Sequence, residues 1–510
     1  MSRISWRGRF APAFYGGLSL LAGAAGPAIF AQELAPPALH LQAPPAVHAF
    51  TSPAPMDDAK PLPISLPTAL RLANVQSTDV AAAAERIRVA CAVLAQAKAL
   101  WLPTITIGGD YNRHDGAIQD SSGAVTDASH GSLMFGLGTG IGSAAILSPD
   151  DAIFAPLVAR QRVRARQADL QAASNDTLVA TTDAYFTVQQ ARGELAGALV
   201  ATRRTAEIVS RAHKLVSSGL VPALEIDRAE AELARRQQAE FLARERWAVA
   251  SAELLRIIRL DDGSAQVEPL EPPNLRVDLV DLKRTVDDLI PIALTSRPEL
   301  RSQQAEVQAT LTLLKQERLR PLIPSILLRG YSTPVTGTLA GGVFAGGTNG
   351  TIGNTGLRGD LDLQILWQLD NLGFGNRGRI HQREAENRLA VINLFRIQDR
   401  VAAEVAQAHA QAQMAARRAD FAEKELRAAL NSADKNLAAL SQTKQAGGVL
   451  QTLVRPQEAV AAVQELGQAF IDYYGAIADY DRAQFWLYRS LGHPAQTLAN
   501  EGAGSLPSQQ

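Results

Sequence analysis

Hydrophobic and polar positions follow two different periods along this chain, and the switch between them occurs at two matching places. Residues 81–100 set Glu85, Arg86, Arg88 and Lys98 among small apolar residues in a helical pattern, and after Pro103 the run "TITI" alternates apolar with polar. The stretch "LRPLIPSILLRGYST" repeats the change around Pro324. A period near 3.6 predicts helix and a period of two predicts strand, so each proline marks a helix-to-strand junction. The clearest strand is "DLDLQILWQLD", with Leu361, Leu363, Ile365, Trp367 and Leu369 on one face, and with Leu366 as the exception among polar residues on the other. In "SLMFGLGTGI", Leu133, Phe135, Leu137, Thr139 and Ile141 share a face. Each half is thus expected to hold two strands, separated by long polar Gly-rich loops, together with several long helices. The longest helical pattern runs from Asn376 to Gln445 with only Gly378 inside it, and about 70 residues at 1.5 Å each would extend roughly 105 Å, far beyond a globular helix. Ser65 before Pro67 is a plausible cap for the first helix.

The pattern is duplicated. "ALRLANVQSTDVAAAAERIRVACAVLAQAKALWLPTITI" aligns with "LIPIALTSRPELRSQQAEVQATLTLLKQERLRPLIPSILL", and "LVSSGLVPALEIDRAEAEL" lies opposite "TKQAGGVLQTLVRPQEAV". The latter two both read as helix, Gly-containing turn, helix. A period this long indicates a duplicated domain rather than a short-unit solenoid. The expected organisation is a signal peptide over 1–31, a Pro/Ala-rich linker over 32–63, a first repeat over 64–262, a linker over 263–281, a second repeat over 282–493 and a disordered tail over 494–510. The signal reading rests on Arg3, Arg7 and Arg9 before a short apolar stretch ending in small residues near Ala31.

Composition narrows the function. Of 510 residues, 5% are aromatic and 46% hydrophobic, many of the latter alanine, which favours helix and close helix approach. The net charge of -1 provides no field to recruit nucleic acid. The single cysteine, Cys91, can form no internal disulfide and is expected to be a small buried residue on a helix. The eight histidines are scattered, with no metal-ligand spacing, nucleophile elbow or phosphate loop. No catalytic residue, metal site or cofactor is expected. No apolar run is long enough for a spanning helix, so a membrane, if crossed, is crossed by strands. Four strands cannot close a barrel, and open edges are costly in hydrocarbon. Three chains pooling their strands give about 12, an even number within the range of outer-membrane barrels.

The duplicated order helix, proline, strand, loop, strand, long helix, Gly turn, helix resembles the outer membrane efflux protein family, the TolC-like channels, over about 64–494. The segments "ISLPTALRLA", "AQAKALWLPTITIGG", "SSGLVPALEIDRAEAEL", "LDLQILWQLDNLGFGNRGRI" and "YDRAQFWLYRSLGHP" carry the likeness. The resemblance implies a mostly α fold with a membrane β-barrel portion: a homotrimer whose 12-stranded barrel in the outer membrane lipid continues into a long periplasmic α-helical barrel. It implies a non-enzymatic exit duct serving an inner-membrane pump and a periplasmic adaptor, for efflux of small molecules or metal ions. Type I protein secretion is an alternative, and a periplasmic coiled-coil scaffold that never spans the membrane is another. By the same resemblance the adaptor meets the tips at Ser218, Gly219, Leu220 and Val221 and at Ala446, Gly447, Gly448 and Val449. The family's acidic ring after the second tip is absent here, where Arg455 and Glu458 stand instead. With Glu225 and Asp227 of the first half they are gate candidates, Arg455 pairing to Glu225 or Asp227 of a neighbouring helix.

Overall fold

The computed structural model describes residues 61–102, 107–119, 122–137, 143–260, 265–333, 346–348, 358–446 and 449–492. The expected signal peptide, the tail and all but the last residues of the 32–63 linker lie outside these.

Two helices of extreme length organise the chain. In the first repeat, helices α1 (Leu66–Gln76) and α2 (Thr78–Lys98) lead to strands β2 (Ile107–Gln119), β3 (Val125–Leu137) and β4 (Ser143–Leu147), then to helices α3 (Pro149–Ser217) and α4 (Leu224–Ile258). The second repeat has the same order: α5 (Val286–Ser296), α6 (Pro298–Leu319), β6 (Ser325–Thr333), β7 (Gly346–Thr348), β8 (Arg358–Leu366), α7 (Phe374–Ala439) and α8 (Pro456–Ser490). The 69 residues of α3 and 66 of α7 extend roughly 100 Å each. Strand β8 is shorter than its alternation suggested: Trp367, Gln368 and Leu369 leave the sheet before a 3₁₀ turn at Asp370–Gly373.

Alanine explains how such helices pack. On α7 the buried residues Ala408, Ala412, Ala415, Ala419, Ala422, Ala429 and Ala433 follow the four-three spacing of a heptad seam. On α3, Gly193 and Gly197 lie under the rings of Tyr474 and Phe470 of α8, and those rings stack with centroids 6.3 Å apart. Arg297, at the α5–α6 corner, is buried and reaches Glu404 of α7 at 2.5 Å and Glu299 at 3.2 Å. Arg489 of α8 joins the same Glu299 and Glu404 and adds Asp176 of α3 at 2.6 Å. Four elements are thereby tied by two guanidinium groups, whose five-donor forks suit such bridging.

The segment between the repeats is fastened along much of its length. Strand β5 (Gln266–Pro269) pairs in parallel with β1 (Pro61–Ile64). Trp247 Nε1 donates to the Val267 carbonyl, Gln189 to the Pro272 carbonyl and Arg192 to the Pro269 carbonyl. Asp481 and Gln484 of α8 accept from the backbone N–H groups of Val277, Leu279 and Val280. The segment also completes α1: Ser65 occupies the cap position, but its hydroxyl faces Thr68, and the Leu66 N–H donates to Glu271 at 3.0 Å. Elsewhere sequence-local caps operate, with Ser77 accepting from Asp79 and Val80 and with a Thr285–Asp288 capping box.

Three local expectations are corrected. The helical pattern expected to reach Gln445 ends at Ala439. The second tip is not helix–turn–helix but an antiparallel hairpin of β9 (Thr443–Ala446) and β10 (Val449–Thr452), with Ala446 opposite Val449. A two-residue Gly-Gly connection between short strands is a hairpin signal, and the helical period upstream masked it. Cys91 is exposed, because α2 buries only a narrow stripe that includes Ala83 and Ala97.

Candidate functional site

The strands join into a composite ribbon. β2 pairs antiparallel with β3 over its whole length, and β3 pairs with β7. β4 pairs antiparallel with β6, and β6 with β8. β3 and β4 follow one another in the chain, as do β6 and β7, so the lateral order is β2, β3/β4, β6/β7, β8. Each repeat sends a strand away from a helix and returns a strand to one, which makes neighbours antiparallel. Among the described residues β2 and β8 each pair on one side only. Their other edges are rows of backbone donors and acceptors.

At the foot of the ribbon, Pro324 follows a 3₁₀ turn (Arg320–Leu322) that ends α6, and the turn Ala99–Trp101 ends α2 in the same way. Pro103 lies outside the described residues. Behind this foot an ion-pair cluster joins the starts of α3 and α7 to the end of α6. Arg320 reaches Glu317 at 3.2 Å and Asp150 and Asp151 at 3.5 Å each, while Arg379 reaches Glu317 at 3.5 Å and pairs with Asp370.

At the opposite end α3 closes with a Schellman turn. Gly219 N–H donates to the Val216 carbonyl at 2.9 Å and Leu220 N–H to the Leu215 carbonyl at 3.0 Å, with Gly219 at φ +70°. Ser218 and Gly219 are exposed, and Leu220 and Val221 half-buried. At the second tip Ala446 and Val449 face one another across the hairpin, and Gly447 and Gly448 lie outside the described residues. Arg211 of α3 holds this end of α7, donating to the Leu437 carbonyl and the Ser441 hydroxyl.

The four charged candidates sit at two adjacent helix starts. Glu225 and Asp227 occupy the first turn of α4, where the helix dipole favours acids. Glu225 is buried and pairs with Arg228 at 2.9 Å, and Arg228 also donates to Gln457 of α8 at 3.0 Å. Arg455 is the N-cap residue of α8 and Glu458 lies in its first turn; both are exposed. Sequence reasoning missed Arg228 and Gln457, which couple the two helix starts through contacts distant in the chain.

Residues 69–258 match the family described as Outer membrane efflux protein. No curated protein matches the sequence. Solved structures match more broadly: the outer-membrane channel OprN at 17% identity and a TM-score of 0.65, over 84% of this chain and 89% of that one. The Campylobacter jejuni CmeC outer membrane channel matches at 15% and 0.63, over 86% and 89%. The Vibrio cholerae outer membrane protein VceC matches at 15% and 0.64, over 84% and 96%. The chain therefore has the mostly α fold of these outer-membrane proteins, built from the duplicated order read in its sequence.

Proposed function

We propose that this chain, similar to the outer membrane efflux proteins over residues 69–258 and folded like the outer-membrane channels, is one of three identical subunits of an exit duct in the outer membrane. The strands cross the membrane and the helices extend into the periplasm. The observation that carries this reading is the pair of open edges. β2 and β8 leave their outer edges unpaired among the described residues, and unpaired backbone groups cannot be left in hydrocarbon. Pairing β8 of one copy with β2 of the next preserves the antiparallel alternation and closes a wall of twelve strands after three copies.

The distal tips, Ser218–Val221 and Ala446–Val449, then meet a periplasmic adaptor that links the duct to an inner-membrane pump. Glu225, Asp227, Arg455 and Glu458 surround the narrow end. The cargo is small molecules or metal ions, passed without chemistry by the duct wall. Detergent extraction of the full chain from membranes, followed by mass measurement and planar-bilayer recording, tests the reading. Three copies per particle and steady single-channel currents are expected. A monomer released by salt alone, silent in bilayers, would overturn it.

A further inference from the structure

We propose that the turn Asp370–Phe374, with the 3₁₀ turn Arg320–Leu322 beside it, is a lipid-contacting wedge. It seats in the headgroup–acyl boundary of the phospholipid leaflet nearest the helices and sets the depth at which the strands stop. The inference rests on the reading of the strands as membrane-crossing and adds the surface that positions them.

The backbone points to it first. Asn371 (φ +52°, ψ +47°) and Leu372 (φ +61°, ψ +26°) are consecutive left-handed residues, followed by Gly373 at φ +91°. Asparagine tolerates this region, but leucine is disfavoured there because its Cβ crowds the following carbonyl. Among the described residues the remaining non-glycine at positive φ is Arg259, a helix C-cap. The strain at Leu372 is held in place from both sides. Asp370 N–H donates to Asn376 Oδ1 at 2.8 Å, and the Asp370 carboxylate takes Gln368 and Arg379. A Cβ on Gly375 would come within 3.1 Å of Asp370, so the turn is also closely packed. Strain maintained by surrounding contacts is a pointer to function. Here its result is to turn Leu372 outward at 91% exposure, with Phe374 at 76%. A leucine fixed in a costly conformation to meet water gains nothing; facing lipid, it does.

The surroundings identify the occupant. Exposed Leu363 and Ile365 on β8, followed by exposed Trp367 and Leu369 beyond its end, lead directly into the turn. Ser325 pairs with Leu366 at the end of the ladder, and Leu322, in the 3₁₀ turn that leads into Ser325, is also exposed. In the first repeat exposed Trp101 and Leu102 follow α2 as Leu322 follows α6, and tryptophan is favoured at membrane–water boundaries. Just beyond Phe374 stands exposed Arg377, with no ion pair among the described residues, whereas Arg379 is committed to Asp370 and Glu317 and His381 faces Glu384. An apolar row that ends at the exposed Arg377 guanidinium matches acyl chains meeting anionic headgroups.

The test uses the full chain with Cys91→Ser, reconstituted in phosphatidylethanolamine/phosphatidylglycerol vesicles and labelled with an environment-sensitive fluorophore. The labels are carried at Leu372→Cys, at Phe374→Cys should the first fail to assemble, and at Leu363→Cys on the strand row. Quenching is read with lipids bearing nitroxides at the headgroup, shallow or deep positions, and with aqueous iodide. The expected result is several-fold stronger quenching of the turn label by shallow nitroxides than by deep ones or iodide, with the Leu363 site quenched by the deep ones. A turn label reached by iodide alone, while Leu363 is lipid-quenched, overturns the wedge and leaves the spanning reading standing. Strongest quenching by deep nitroxides overturns the assigned depth. Protection from both iodide and lipid nitroxides shows a second copy or another protein covering the turn and likewise overturns it. Lipid quenching at neither site overturns both readings.

Discussion

Gly197 is a residue whose hydrogen is its function. A Cβ there would sit 2.5 Å from the Phe470 Cβ, and one on Gly193 would sit 2.5 Å from the Tyr474 ring. Gly197→Ala is therefore expected to destabilise the α3–α8 contact by about 1–3 kcal/mol, the usual cost of overpacking. It should be read as a lower denaturation midpoint in helical circular dichroism; Gly193→Ala should act the same way, and there Tyr474→Ala in the same chain should recover part of the loss, because the atoms crowded are ring atoms. Gly219 tests the opposite case. A Cβ there meets nothing within 4 Å, so Gly219→Ala is expected to cost only the left-handed backbone penalty, about 1–2 kcal/mol, with no partner substitution able to restore it. The spacing of "GELAG" announces a close approach in the sequence itself, but the rings that fill it come from a helix far along the chain and leave no local signature. The exposure of Cys91 was hidden for a related reason: helical periodicity shows that α2 has faces, not how few of them this one chain covers.

At the scale of elements, the change of period in the sequence falls where α2 gives way to β2 and α6 to β6, and the repeated segments fold in the same order. Legibility failed where backbone groups are satisfied by distant side chains. The Pro-rich connection over 263–281 has the composition of a linker, yet Asp481 and Gln484 of α8 accept its N–H groups at Val277, Leu279 and Val280. Asp481 is fully buried, with Oδ1 on the Val277 N–H at 2.8 Å and Oδ2 without a partner among the described residues. Burial pushes its carboxyl up to about 7, opposed by the Val277 hydrogen bond and aided by nearby Asp278, with Arg276 and Arg482 pulling the other way. Because the folded chain holds the proton more tightly than the unfolded one, this group's stabilisation is complete below the ordinary carboxylate range, near pH 4. It is lost as pH rises towards 7, at up to about 1.4 kcal/mol per pH unit. Asp481→Asn keeps an acceptor for Val277 and removes the titration. The variant is expected to match the parent near pH 4 and to exceed it in denaturation midpoint at pH 8; an unchanged pH profile would show that the carboxyl ionises no differently in the folded state.

For the whole molecule, the threefold repetition proposed above would change what an exposed residue means. Arg455 caps α8 at its N-terminus, where the helix dipole repels a cation. It is exposed and has no ion pair within the chain among the described residues. One acidic candidate is already engaged, since Glu225 is paired with Arg228 at 2.9 Å. Asp227 and Glu458, by contrast, are exposed at the same end. In a ring of three copies each Arg455 would face a neighbour's acids across the narrow end, and such a pairing would offset the unfavourable placement on its own helix. Arg455→Gln removes the cation and leaves the acids. The expected outcome is a duct of unchanged strand and helix content with higher single-channel conductance and stronger cation selectivity in planar bilayers. Asp227→Asn combined with Arg455→Gln should bring the selectivity back towards that of the parent. Currents identical to the parent in the single variant would mean that Arg455 is only a solvated charge at a helix end and that the narrow end is closed by other means.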